Sequence, residues 1–310
     1  MSNVLVCSVV KNTGNLLINN IKLAYQLKDK CNKFKMIIYE NNSTDNTKEI
    51  LKSVSVDNNI KVIMENINEE DIKKSSKIWA CTKVTGSNHP CRIEQICNAR
   101  NKVIEEINKE EYNDFNIVVW IDLDSKGFDV NEIEKSVLAV ENNGKIVLTA
   151  NSPSYYDYYA LRSKHSISNL LGPEIIGDKF WQIMGKHPIQ FNGNTSLMEV
   201  YSSFNGIGVY HKNVFKNYKY NCMVDDNVKK MYQNMLTEIT DLQKIFKKYI
   251  SNDCIKFPDG VYDADIEGYW KNNSGYDKPV VCEHVCLHAC LVNDGYKIYI
   301  NPNMLYHWNN

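Results

Sequence analysis

The chain has no surplus of either charge. Its 36 lysines and arginines are matched by 37 aspartates and glutamates, so it lacks the basic field that nucleic acid or an anionic membrane would require. It has no basic-aromatic stripe of the kind that binds single strands. No apolar run approaches the roughly 20 residues of a membrane-spanning helix. No GxxxxGK[ST] phosphate loop occurs, which excludes a P-loop ATPase. Repeats and low-complexity linkers are absent as well. Ten cysteines are present, without knot-like spacing. Cys7, Cys286 and Cys290 lie in apolar runs and the others are scattered, a pattern that predicts mostly reduced thiols in a cytoplasmic protein. Residues 1–10 lack a basic start and are too short for a secretory leader, so they read as a buried first strand. On the same expectation, the sequon Asn42-Ser43-Thr44 stays unglycosylated.

What the sequence does have is alternation of strand-like and helix-like segments. Residues 4–10 form a continuous β-branched run and predict a strand of parallel type. A turn at Asn12-Thr13-Gly14-Asn15 leads to a helix over 16–27. Strands follow at 35–39, 60–64, 117–122 and 145–150, with helices after Asp45 and over 93–107 and 130–140. This order predicts an α/β fold with a mostly parallel sheet and helices on both faces. Residues 152–208 are rich in Tyr, Gly, Pro, Asn and Ser and predict long site-forming loops. Residues 226–249 predict a charged amphipathic helix, with Asp225-Asp226 at its cap, and 295–305 a last strand or hairpin. One continuous domain over 1–310 is expected, with 1–125 binding nucleotide and 126–310 carrying acceptor binding and catalysis.

The sharpest local feature is Asp122-Leu123-Asp124 directly after Ile117-Val118-Val119-Trp120-Ile121. Side chains two apart in a chain that turns at its strand end can meet one ion, and Ser125-Lys126-Gly127 supplies the turn. Two carboxylates there make a hard-oxygen site suited to Mg²⁺ or Mn²⁺, or else a solvated strand end. Glu40 closes the second strand, where its carboxylate meets a nucleobase or ribose, or caps the next helix. Phe204-Asn205-Gly206-Ile207-Gly208 can form a tight loop near an acceptor, and Trp181, Phe191 and Tyr201 can stack on sugar faces or pack in the core. His284 and His288 share a helix face, but the HExxH zinc pattern is missing. His288 therefore reads as a core histidine.

In their order and spacing, these segments resemble a family 2-like, GT-A-type nucleotide-sugar glycosyltransferase. The resemblance rests on residues 4–12, Glu40-Asn41-Asn42-Ser43-Thr44-Asp45-Asn46-Thr47, Ala99-Arg100-Asn101, the Asp122/Asp124 pair, Glu283-His284, and Gly295, Tyr299, Pro302 and His307. A narrower resemblance, to fungal capsule α-mannosyltransferases and related giant-virus proteins, rests on Tyr155-Tyr156-Asp157-Tyr158-Tyr159-Ala160-Leu161-Arg162. What the resemblance implies is a metal-dependent glycosyltransferase of the GT-A type. It would move a sugar from a UDP- or GDP-linked donor to a glycan or other hydroxyl, in a host-cell cytoplasm if the source is viral. It implies Asp122, Asp124 and His307 as ligands of Mn²⁺ or Mg²⁺. Val10, Asn12, Glu40, Arg100, Asp122, Asp157 and Arg162 would bind donor. Trp181, Phe204, Asn205 and Gly206 would bind acceptor. Glu283 and His284 would be catalytic. The family has an Asp where His284 stands, which leaves the base, and with it inversion or retention, open. A nucleotidyltransferase, or a sugar-binding protein without turnover, is the alternative on the same scaffold.

Overall fold

The computed structural model describes residues 2–76, 91–164, 171–176, 180, 196–238 and 280–308. The chain opens with β1 (Asn3–Val10), α1 (Leu16–Tyr25), β2 (Lys33–Asn41), α2 (Thr47–Val54), β3 (Ile60–Glu65), α3 (Glu69–Ser75), α4 (Arg92–Ile107) and β4 (Ile117–Ile121). There follow β5 (Gly127–Phe128), α5 (Val130–Asn142), β6 (Ile146–Asn151), α6 (Pro173–Ile176), β7 (Met198–Val200) and β8 (Ile207–His211). The last elements are α7 (Val214–Asn217), α8 (Asp226–Glu238), α9 (Glu283–Asn293) and β9 (Lys297–His307). The amphipathic segment expected over 226–249 is a helix as far as Glu238, and its remainder lies outside the described residues.

The sheet runs in the order β3-β2-β1-β4-β8-β6-β9-β5, with β7 also paired to β9. Neighbours from β3 to β4 are parallel, and β6 is parallel to β9. β8 is inserted antiparallel between β4 and β6. The expected mostly parallel α/β sheet is therefore present, with β5, β7 and β8 reversed. It draws strands from both the 1–125 and the 126–310 stretches. Strand alternation divides the core into two layers. Leu5, Cys7, Tyr39 and Trp120 face α4, α8 and α9, whereas Val4, Val6, Ile38 and Ile121 face α1, α2 and α5. Every residue of β4 is buried, which is why its sequence is an unbroken apolar run rather than an alternating one.

This topology brings the carboxyl ends of β1, β2 and β4 and the start of β8 to one edge, the place where open α/β sheets bind ligands. Asn12, Asn42 and Asn205, with φ of 53°, 55° and 53°, turn the chain there in the left-handed region. Asparagine enters that region more readily than other residues with a Cβ. No helix among the described residues is long and apolar enough to cross a membrane. Seven described cysteines are free thiols, as expected of most, but Cys91 is disulfide-bonded.

The long loop after β6 is pinned to the helical layer by a buried ion pair. Arg162 bridges to Ser202 through its backbone and sends a guanidinium fork to Glu174, with Nη2 at 2.7 and 2.8 Å from the two carboxylate oxygens. Its Nε also donates to the Tyr232 hydroxyl of α8 at 2.7 Å, and its Nη1 to the carbonyls of Tyr159 and Leu161. A Cβ on Gly172 would fall 1.8 Å from Arg162 Nη2, so glycine is required for the fork to close. Removing one member of such a buried pair leaves an uncompensated charge. Glu174→Gln is expected to cost about 3–5 kcal/mol, and Tyr232→Phe, which loses one hydroxyl to a charged group, about 1.5–3 kcal/mol. Urea unfolding of both variants tests this order. A Glu174→Gln chain no less stable than Tyr232→Phe would show that the ion pair does not hold the loop.

Candidate active site

The helical period of α4 turns Ile93, Cys97, Arg100 and Ile104 toward the sheet, and Arg100 arrives beneath the end of β4. Its Nη2 lies 3.3 Å from Asp122 Oδ1 and its Nε 3.2 Å from Glu283 Oε1, the first residue of α9. Three rings surround the guanidinium carbon: Phe204 at 4.8 Å, Trp120 at 5.1 Å and Tyr220 at 5.6 Å. Burying a cation is costly unless carboxylates and ring faces replace water. Burial opposes its charge, but Asp122 and the groups around it outweigh that effect, and the pKa of Arg100 lies above its ordinary value. Its Nη1 is buried without a hydrogen-bond partner.

Two acids touch this cation, and Asp124 and Asp157 stand near the first of them, Asp122. The Asp122 side chain is 26 % exposed, yet its surroundings are poor in water. Burial, relieved by Arg100 and reinforced by Asp124, Asp157 and Glu283, pushes its pKa up to about 7. Asp124 accepts a hydrogen bond from the Tyr306 hydroxyl at 3.2 Å. Asp157 accepts the Asn205 backbone N–H on one oxygen (3.1 Å) and the Ala160 N–H on the other (3.3 Å). Its pKa is raised to about 6, chiefly by burial. Glu283 is buried, with Oε2 accepting the Cys282 thiol at 3.5 Å.

His284 packs its ring on Phe204 at 3.8 Å and against the edge of Tyr220 at 5.4 Å. Neither ring nitrogen has a hydrogen-bond partner, although Nε2 lies 3.5 Å from Glu283 Oε1. Burial first, and then the positive charge of Arg100, hold its pKa well below the usual imidazole range, so it is neutral at neutral pH. His288 is the expected core histidine, bonded to Ser202 Oγ at 3.0 Å and the Tyr210 hydroxyl at 2.9 Å.

Several expected site residues are placed elsewhere. Glu40 lies on the sheet face opposite Arg100, fully buried. Its Oε1 accepts the Ser43 N–H at 2.6 Å, and its Oε2 is buried without a partner. Asn12 Oδ1 accepts the Thr44 N–H at 2.8 Å, lacing the turns after β1 and β2 together, and Val10 is core. Arg162 has its hydrogens committed to the ion pair described above and offers none to a phosphate. Phe204, Asn205 and Gly206 are all buried: the Phe204 ring backs Arg100 and His284, while the main chain of Asn205 and Gly206 holds Asp157 and Asp122. Tyr201 is likewise core. Trp181 and Phe191 lie outside the described residues. His307 is exposed, and the two-residue period of β9 is the reason: Tyr306 points inward to the acids and His307 outward. No group of three or more His, Cys, Asp or Glu side chains among the described residues is arranged to hold a metal.

Sequence reasoning passed over Tyr306 and Tyr220, which no motif marks. It also passed over a cavity of about 350 Å³ between the end of β2, α3 and α4, lined by Tyr39, Asn41, Gln95, Asn98 and Lys102. Asn41 falls there because it alternates with Glu40 and shares the face of Tyr39.

A family model described as Cryptococcal mannosyltransferase 1 matches residues 11–244. The match takes in Arg100, both acids of the strand end and the Asp157 loop, and stops before Glu283. No curated protein sequence matches. Among solved structures, Staphylococcus aureus TarS 1–349 is 10% identical over 99% of this chain and 60% of its own, with a TM-score of 0.41. Glucosyl-3-phosphoglycerate synthase from Mycobacterium tuberculosis, solved with Mn²⁺, UDP and phosphoglyceric acid, is 12% identical over 69% of this chain and 57% of its own, with a TM-score of 0.35. The 4-diphosphocytidyl-2C-methyl-D-erythritol synthase of Anaerococcus prevotii is 10% identical over 81% and 85%, with a TM-score of 0.36. The chain thus spans about six tenths of the length of the first two of these structures.

The buried histidine of α9 gives a pH test. Burial lowers the pKa of His288 from 6.5 to about 3. The unfolded chain takes up a proton below about 6.5, whereas the folded chain does not until far lower pH. Stability is therefore full above that value and falls as the pH drops toward 3, by up to about 1.4 kcal/mol per pH unit. In urea unfolding between pH 7 and 5, the advantage of the wild type over His288→Gln should shrink as the pH falls. Parallel stability curves would show that the imidazole is not held neutral.

Proposed function

The chain belongs to the cryptococcal mannosyltransferase 1 family, and we propose that it transfers a hexosyl group, mannosyl foremost, from a nucleoside diphosphate sugar to an acceptor hydroxyl. The observation that carries this reading is the Arg100 guanidinium joining Asp122 to Glu283 at the sheet edge. Asp122 and Glu283 share that one guanidinium, and Asp124 and Asp157 add further negative charge near Asp122. Such surplus negative charge repels a bare diphosphate and suits a hard divalent ion with oxygen ligands. Asp122 and Asp124 fit Mn²⁺ or Mg²⁺, with His307 outside the set. When bound, that ion would offset the charge of the departing diphosphate.

The remaining work falls to the chain's own residues. Arg100 fixes the rotamer of Asp122 and favours its ionised form. Asp157 ties the 152–160 loop to the turn before β8, so the wall of the site and its acids move as one unit. Both oxygens of Glu283 are engaged, one by Arg100 and one by the Cys282 thiol, and the residue is buried. That geometry suits an electrostatic role better than proton abstraction from an acceptor. We therefore favour retention. The acceptor oxygen bonds to the anomeric carbon on the face the donor leaves, the C–O bond to phosphate breaks with its electron pair, and the acceptor proton passes to the departing phosphate oxygen.

A thermal-shift panel of UDP-, GDP-, dTDP- and CMP-sugars, with and without Mn²⁺, tests the donor class. A GDP-linked sugar is expected to give the largest shift. At a hundred times its Kd it stabilises by about 2.7 kcal/mol. Stabilisation by a CMP-sugar alone would overturn the diphosphate chemistry. Asp124→Asn should keep the fold and weaken metal affinity by roughly 10- to 100-fold or more. Glu283→Gln should slow transfer yet leave the product anomer retained by NMR. An inverted wild-type product would restore Glu283 as the base.

A further inference from the structure

The turn that presents the two acids is clamped from outside. Asn20 of α1 donates to the carbonyls of Leu123 (2.9 Å) and Ser125 (2.8 Å). The main chain of β9 receives the Lys126 N–H on the His307 carbonyl at 2.8 Å and pairs with Gly127 and Phe128. The third clamp is a side chain. The Tyr306 hydroxyl reaches the Asp122 carbonyl at 3.1 Å and Asp124 Oδ1 at 3.2 Å, so one hydrogen is shared between the strand's last carbonyl and the carboxylate two residues on.

We propose that Tyr306 is a positioning residue, whose hydroxyl fixes the direction in which Asp124 presents its carboxylate relative to Asp122. The inference rests on the reading that these two acids hold a divalent cation. Three observations give Tyr306 this role rather than a packing role alone. Its ring is buried, so the hydroxyl is held in one place. The slot for that ring is made by Gly206, with φ of 88°, where a Cβ would come within 2.5 Å of the ring. Gly206 also accepts the Asp122 N–H at 2.8 Å, so the residue that admits the ring holds the backbone of the first acid.

A hydroxyl that orients a metal-binding carboxylate acts on metal affinity through that carboxylate. Groups in this position typically change affinity by about 10- to 100-fold when removed. Mn²⁺ binding is measured by the EPR signal of the free ion on the full chain, for wild type, Tyr306→Phe, Asp124→Asn and the double variant. Tyr306→Phe should bind Mn²⁺ roughly 10-fold more weakly and melt within a few degrees of wild type. The double variant should bind no worse than Asp124→Asn, because neighbours acting through one group are not additive. Wild-type affinity in Tyr306→Phe overturns this inference alone. Losses that multiply in the double variant overturn it too, as does a Tyr306→Phe chain that does not fold, since the hydroxyl would then be structural. No Mn²⁺ binding by the wild type overturns it together with the metal reading.

Discussion

The edge of this sheet depends on one buried cation. Arg100 comes from a helix, Asp122 from the central strand and Glu283 from a helix 183 residues further along the chain. The guanidinium holds all three because it offers hydrogens in a fixed planar fork, and its flat faces tolerate aromatic neighbours. A lysine there would be a point charge needing a hydration shell that Trp120, Phe204 and Tyr220 leave no room for. Burial holds His284 neutral and the same cation reinforces it, while favouring the ionised form of Asp122 against the pull of burial. Charge and packing are therefore not separable here: the group that lowers the cost of one buried carboxylate is the one that orders the ring cluster.

The topology converts this local arrangement into a site. Parallel neighbours deliver the ends of β1, β2 and β4 to one edge, and the reversed β8 begins there. Gly206 thus meets Asp122 although it lies more than eighty positions away in the chain. β9 then crosses the turn after the acids and supplies Tyr306. The acid pair belongs to a framework with contacts from α1, β8 and β9. This explains why a two-residue motif can have a defined geometry on a chain that turns so sharply.

Much of that framework was legible in the sequence. The unbroken apolar run before Asp122 identified a buried strand, and Asp122 at its end meets Arg100. Arg100 stood out through its neighbours Ala99 and Asn101, and Glu283 through its place before His284. Two physical causes place other expected residues away from Arg100 or leave them with partners already. One is strand parity: Glu40 and His307 occupy the expected stretches, but a two-residue period turns them away and turns Asn41 and Tyr306 in. The other is satisfaction. Arg162 has its hydrogens taken by Glu174, Tyr232 and two carbonyls, which only long-range contacts reveal. Phe204, Asn205 and Gly206 were recognised as a tight turn, but nothing local says that β9 and α9 bury it.

The charge balance sets opposing demands on this edge of the sheet. Asp122 and Asp157 have pKa values of about 7 and about 6 in the folded chain, against an ordinary 3.8. A raised carboxyl pKa means that the folded state holds its proton longer than the unfolded one. These acids therefore erode stability as the pH rises from about 4 toward 7. His288 works in the other direction, eroding it as the pH falls below about 6.5. Near neutrality the histidine costs nothing and the acids do, so the pH dependence of stability there is set by Asp122 and Asp157. A bound cation would lower the pKa values of the acids and remove that erosion. Any ligand that brings positive charge to this edge would bind more tightly for the same reason, because its charge offsets the mutual repulsion of these acids.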